Sequence, residues 1–202
     1  TRRAWWFIAT SRSRARFAKT TLGSFWLGFS NLLSIGTLGI VYGTVFSVKD
    51  FNSYFIYLGL GLVIWNTLSS SILNAPYLFA HNSSNIKNNN LKPIFYTLEE
   101  WAFQLQTFIQ SFVLVFAVLI FFDFSILINF FLYSWIPFLN LFIFLYWFPL
   151  LLCLVSIRYT DIAQLVPIIL QIVFLTSPIL YLKESLGSLS WITNFNFIYQ
   201  FL

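Results

Sequence analysis

The sequence predicts an all-α integral membrane protein. Three observations carry that prediction. Charged residues make up only 8% of the 202-residue chain, against about 25% in soluble domains, so no polar coat exists to cover a water-soluble core. Mean hydropathy is +0.81, and the apolar residues fall in runs of about 20, the length a helix needs to cross bilayer hydrocarbon. The runs are continuously apolar, whereas membrane barrel strands alternate polar and apolar positions over about 10 residues.

The chain begins at Thr1, contains no methionine and closes on an aromatic stretch. It reads as a piece of a longer protein, with residues expected beyond both ends. Residues 1–21 come first. Arg12, Arg16 and Lys19 are spaced i, i+4, i+7 and share one face of a predicted helix, with Trp5, Trp6 and Phe17 as apolar anchors. The pattern predicts a cytoplasmic amphipathic helix lying in the interface, held by anionic lipid and aromatic rings. The plainer alternative is a basic tail that only sets topology. Nucleic-acid binding is not required, because topology already accounts for the arginines.

Five spans follow within residues 22–182. The first covers about Leu22 to Phe46 and the second about Tyr54 to Ala75, stopped by Pro76. The third covers about Trp101 to Phe122. The fourth runs from about Ser125 to Ile157. At a rise of about 1.5 Å per residue it would be nearly 50 Å long, so it must tilt, bend at Pro137 or Pro149, or begin as an interfacial segment. The fifth covers about Ile162 to Leu182, with Pro167 and Pro178 inside. Alternating sides puts nine of the eleven Lys and Arg residues on the N-terminal side. By the positive-inside rule the N-terminus is cytoplasmic. No small-residue cleavage pattern follows the first span, which is therefore a true span.

Between spans two and three lies a polar, Asn-rich cytoplasmic loop, residues 76–100. Its stretch from His81 to Asn90 is expected to form a short helix along the membrane, offered to a soluble partner; a disordered loop is the alternative. His81 is the only histidine and has no Cys, Asp or second His beside it to make a metal site. Cys153, the only cysteine, forms no intrachain disulfide and no metal centre. Between spans four and five, Arg158 and Asp161 interrupt the apolar pattern. At a helix centre each would cost about 2.5–3.5 kcal/mol, so they mark a tight cytoplasmic turn. There Asp161 is expected to cap span five and pair with Arg158.

Gly36, Gly39 and Gly43 share a face of span one, which permits close helix packing. Gln104, Gln106 and Gln110 open span three, Asn140 lies in span four, and Gln164 and Gln171 share a face of span five. Amides in a membrane either join helices or line a polar path. The P-loop pattern GxxxxGK[ST] is absent, as are GxSxG and HExxH. Acidic groups at the outer side are Asp50, Asp123 and Glu184, too scattered for a membrane-embedded polysaccharide or lipid enzyme.

Three blocks together resemble the ABC-2 type transporter permeases, in the branch exporting O-antigen, capsule and teichoic-acid polysaccharides. "RFAKTTLGSFWLGFSNLLSIGTLGIVYGTVF" is similar to the family's R-[YF]-x-x-[TS]-x-L-G-x-x-W approach to span one, supplied by Arg16, Phe17, Thr20, Leu22, Gly23 and Trp26. "YFIYLGLGLVIWNTLSSSI" is similar to its second span. "IRYTDIAQLVPIILQIVFLTSPILY" is similar to its R-[YF]-x-D-[IL]…Q…[TS]-P-[IV] block and is the most specific of the three. Two features depart from the pattern: Asn196-Phe197 where the family often has Asn-Pro, and Glu99-Glu100 where it tends to have basic residues.

The resemblance implies a six-span half-transporter in the bacterial cytoplasmic (inner) membrane, with five spans in this chain. It implies a homodimer with two separate ATPase subunits, which would carry ATP and magnesium; this chain would bind no cofactor, metal or nucleic acid. The cargo would be a lipid-linked polysaccharide, with a drug or small lipid as the rival. His81, Asn82, Ser83, Ser84, Asn85, Ile86, Lys87 and Asn88, with Arg158 and Asp161, would meet the ATPase. Trp26, Phe29, Gln164, Gln171, Phe174 and Tyr181 are the candidates for a substrate path. Residues 183–202 would form an outer-side gate before a sixth helix.

Overall fold

A computed structural model describes residues 4–46, 48, 50–88 and 91–181. Among them there is helix and turn but no strand. Among the described residues, four helices are long and apolar enough to cross a membrane, and a fifth is apolar but shorter.

The first helix, α1 (Ala4–Phe17), precedes a turn in which Gly23 takes a left-handed backbone, φ 57°. Such a backbone costs an L side chain and suits glycine. Lys19 falls beyond the end of α1. It therefore does not continue the Arg12–Arg16 face, contrary to the expected spacing. The next two helices, α2 (Phe25–Val45) and α3 (Phe51–Asn74), pack against each other. Asp50 starts α3 by accepting hydrogen bonds from the Ser53 amide (3.3 Å) and hydroxyl (2.7 Å), which satisfies a helix-start donor. Pro76 converts its end into a short 3-10 turn, Ala75–Tyr77.

Two short helices follow, α4 (Leu78–His81) and α5 (Ser83–Asn88), separated at Asn82. The long helix α6 (Pro93–Leu119) starts with proline, its first-turn position of choice, behind an extended Lys92. The expected cytoplasmic loop 76–100 is thus shorter than the sequence suggested: Glu99 and Glu100 are inside α6, not in a loop.

The overlong fourth span is two helices, α7 (Ser125–Tyr133) and α8 (Trp135–Arg158), broken at Ser134. Of the three sequence alternatives, the separate leading segment is the one realised. Pro137 lies in the first turn of α8, where helix N–H groups have no intrahelical partner to lose, and Pro149 stays within the helix. The last described helix, α9 (Ile162–Thr176), is shorter than the expected span to Leu182. Ser177 is extended, φ −79° and ψ 136°, as a residue before proline tends to be.

The core centres on α3 and α6. Their most apolar windows are 56% and 50% buried, against 17% for both α2 and α8, so α2 and α8 show most of their surface outward. Leu58, Val63 and Leu68 of α3 and Phe108 and Val115 of α6 are fully or almost fully covered. Phe108, Phe112, Phe116, Phe130 and Phe138 join α6, α7 and α8 through ring contacts of 4.8–5.8 Å, favourable both stacked and edge-on. Of the glycine face of α2, Gly39 and Gly43 are used within the chain, while Gly36 meets open space. A Cβ on Gly39 would stand 2.8 Å from the Phe55 ring, and one on Gly43 2.9 Å from the Phe51 ring.

Candidate functional site

Polar groups gather at one end of the helices and continue between them. At that end, Arg12 of α1 donates from Nη1 to Glu100 Oε2 of α6 at 2.6 Å, with Glu99 at 3.8 Å. No other ion pair forms among the described residues. The guanidinium also lies 4.2 Å over the Phe103 ring, within cation–π range. Glu100 is buried, a costly place for a charge unless its oxygens are bonded. Its second oxygen accepts from Gln104 Nε2 at 2.9 Å, and Gln104 Oε1 accepts from Ser70 Oγ of α3 at 2.9 Å. Gln106 donates to Thr10 of α1 at 3.0 Å. One turn of α6 therefore fastens α1 to α3.

Deeper in the bundle, Asn66 of α3 donates to Asn31 Oδ1 of α2 at 2.7 Å, and Asn31 donates to Ser111 of α6. These groups line a cavity of about 260 Å³ together with Arg16, Ser30 and Asn74. Asn74 also lines a second cavity, of about 280 Å³, with Arg12, His81, Asn82, Tyr96 and Glu99. A polar seam thus leads from the Arg12–Glu100 end into the midst of the three helices α2, α3 and α6, where polar groups otherwise occur only when bonded or hydrated.

The predicted residues divide between this seam and other places. Trp5 turns inward, 6.2 Å from the Trp101 ring, while Trp6 stays exposed. α1 packs along α6, and that contact takes one of its two tryptophans. His81 stacks on Tyr77 at 6.0 Å and lines the second cavity with Asn82. Ser83, Ser84, Asn85, Ile86, Lys87 and Asn88 make up α5. Ser156, just before Arg158, bonds the Pro76 carbonyl at 3.2 Å, which ties the end of α8 to the turn after α3.

Arg158 and Asp161 are both exposed, and they do not pair. Asp161 stands at the N-cap of α9 without a side-chain cap bond, because its own backbone is already helical, φ −62° and ψ −22°. Arg158 instead lies 5.9 Å over Tyr159. Of the substrate-path candidates, Trp26 and Phe29 are exposed on α2, with rings 5.8 Å apart. Gln164 and Gln171 are exposed on α9. Phe174 packs on Trp65 at 5.1 Å, and Tyr181 donates to the Leu175 carbonyl at 3.3 Å. Trp26, Phe29, Gln164 and Gln171 thus face outward, whereas Phe174 and Tyr181 make contacts within the chain. Residues 183–202, expected as the gate, lie outside the described residues.

Missed from sequence were Asn31, Asn66 and Asn74, each a lone amide in or at the end of an apolar run. A comparison with protein-family models finds no match, and a comparison with curated proteins finds none.

Proposed function

We propose that the chain is the membrane-spanning permease subunit of an ATP-driven ABC exporter that moves a lipid-linked polysaccharide. The observation that carries the reading is the polar seam of amides and hydroxyls within helices long and apolar enough to span a membrane, joined to the short helix α4 at His81 and to Asn82. Amides and hydroxyls suit a hydroxyl-rich cargo, since they exchange hydrogen bonds with it without fixing a charge. The three sequence blocks that resemble the ABC-2 permeases support the same reading. The short helices α4, packed on the turn after α3 and beside α6 and α8, and α5, next to α4, would take the push from a separate ATPase. The outward faces of α2 and α9, with Trp26, Phe29, Gln164 and Gln171, would meet a second copy around the path.

Two measurements test this. Affinity purification of the tagged protein from its own cells should bring down a P-loop ATPase in a two-to-two complex. Export of the cell-surface polymer should stop when that ATPase carries an inactivated catalytic glutamate. Continued polymer export, with no ATPase recovered, would sink the reading. Asp161→Ala should leave folding unchanged, because the carboxylate is exposed and caps nothing, yet lower ATP-coupled export.

A further inference from the structure

The corner formed by α7 and α8 does not close against α6. α7 packs on α8 and has no buried residue of its own, and a cavity of about 480 Å³ remains beside α6. Ring contacts from Phe112 of α6 to Phe130 of α7 (5.6 Å) and Phe138 of α8 (5.2 Å) bridge its two sides. Ile109, Trp135 and Leu139 line it and are exposed, so it opens to the outside of the chain. Two side chains in the lining carry a polar atom, Trp135 and Ser134. The Trp135 indole is committed, donating to the Phe131 carbonyl at 2.7 Å. Ser134 is partly exposed, and its hydroxyl makes no hydrogen bond among the described residues.

Depth gives that hydroxyl a meaning. Arg158 closes α8, and its charge belongs outside bilayer hydrocarbon. The 24 residues of α8 rise about 36 Å, against about 30 Å of hydrocarbon. Ser134 and Trp135 therefore stand at the opposite interface, where the exposed rings of Tyr133 and Trp135 suit an aromatic belt. Phe138 and Phe142 lie about 5 and 10 Å deeper. The cavity is thus polar at the level of lipid ester groups and apolar below it. Water is a poor filling, because apolar cavities stay dry and take hydrocarbon. At about 30 Å³ for a water-sized group, it has room for about sixteen, and a methylene is of similar size. We propose that this groove holds one acyl chain of a membrane phospholipid, its ester carbonyl accepting from Ser134 Oγ and its methylenes lying along the phenylalanine rings. The proposal rests on the membrane character of the helices and is independent of the transport reading.

The experiment reconstitutes the full chain with phosphatidylcholine carrying a diazirine midway along one acyl chain. The protein is extracted into detergent, washed to strip loosely held lipid, and illuminated; mass spectrometry then maps the labelled residues. An ether-linked analogue lacks the ester carbonyl. Ile136 and Val113 are the controls. They lie on the same helices outside the groove and are 82% and 61% exposed, no less than Leu139 (61%) and Ile109 (47%). In the wild type, Ile109 and Leu139 should be labelled several-fold above both controls. The ether probe should label them about fivefold less than the ester probe, the worth of about one hydrogen bond. Ser134→Ala should bring the ester probe down to the ether level and leave the ether probe unchanged. Leu139→Trp, which fills the groove, should reduce both probes to the control level. Equal labelling of groove and control positions in the wild type would mean passing contact with bulk lipid, and would overturn the proposal. Labelling below the controls would do the same, as the mark of a groove covered by polypeptide. Ester and ether probes that label alike would remove the Ser134 bond and the register it sets. Ser134 makes no bond that the fold would lose, so its variant keeps the test decisive even if Leu139→Trp fails to fold.

Discussion

The Arg12–Glu100 contact joins residues 88 positions apart, at 2.6 Å. Arg12→Ala removes one of the two donors to a carboxylate that is only 7% exposed. Breaking a fully buried pair from one side costs about 3–5 kcal/mol, whereas exposed pairs are worth about 0–1 kcal/mol. The Arg12 side chain is 45% exposed, so the loss should fall between, at about 2 kcal/mol. Glu100→Gln keeps an acceptor for Gln104 and removes the charge, so it should cost about 1 kcal/mol. The double variant should cost no more than Arg12→Ala alone, since the orphaned charge that makes the single change expensive is gone. Unfolding by titrated SDS in mixed micelles, followed by tryptophan fluorescence, would read this out, because Trp5 and Trp101 report on the same α1–α6 contact. Losses that add to about 3 kcal/mol, with coupling below about 0.5 kcal/mol, would refute the reasoning.

Glycine substitutions on α2 should separate by position. Gly28→Ala puts a Cβ 2.7 Å from Leu114 Cβ, an atom too near the backbone to yield, and should cost about 1–3 kcal/mol. Gly36→Ala meets open space and should be neutral or slightly stabilising in the same SDS titration. Tyr54→Phe deletes the hydroxyl that donates to the Leu180 carbonyl at 2.7 Å. It should cost about 1 kcal/mol and raise hydrogen exchange in 177–181; unchanged exchange there would show that the hydroxyl fixes nothing. Hydrogen bonds from Ser53 and Ser125 hold the carboxyls of Asp50 and Asp123 below the usual carboxylate value. The charged form is the one favoured in the fold, so this contribution is whole above the unfolded value of about 3.9 and is lost as pH falls through the lower folded one. The stability gap between the wild type and Asp50→Asn/Asp123→Asn should be flat from pH 7 to 5 and close below pH 4; a gap that changes near neutrality would exclude these two groups as its source.

Helical class, and the existence of α2, α3, α6 and α8, were legible because long apolar runs are a signal summed over about 20 residues. Breaks were less legible. Two prolines competed as bend points in the fourth span, yet the chain breaks at Ser134, and Pro137 is absorbed in a first turn. The Arg158–Asp161 turn was readable from charge, but its pairing and cap were not, since both depend on backbone angles at one residue. The α1–α6 ion pair was hidden because Arg12 had a sufficient topological explanation and Glu99-Glu100 looked like loop. The seam was hidden for a related reason. Asn31, Asn66 and Ser111 belong to three helices and acquire meaning only where the helices touch, so no periodicity in one segment announces them.

The length of α9 has a consequence for the lipid around it. Fifteen residues span about 22 Å, some 8 Å less than bilayer hydrocarbon of about 30 Å. The chain then turns at Ser177–Tyr181, where peptide groups facing lipid would lack partners. Tyr57 and Tyr54 supply them, through the Pro178 and Leu180 carbonyls, and Ser177 and Ile179 are fully covered. The Ser177–Tyr181 turn can therefore sit at hydrocarbon depth without showing unpaired peptide groups to lipid, so a helix as short as α9 does not by itself require a thinner bilayer beside it.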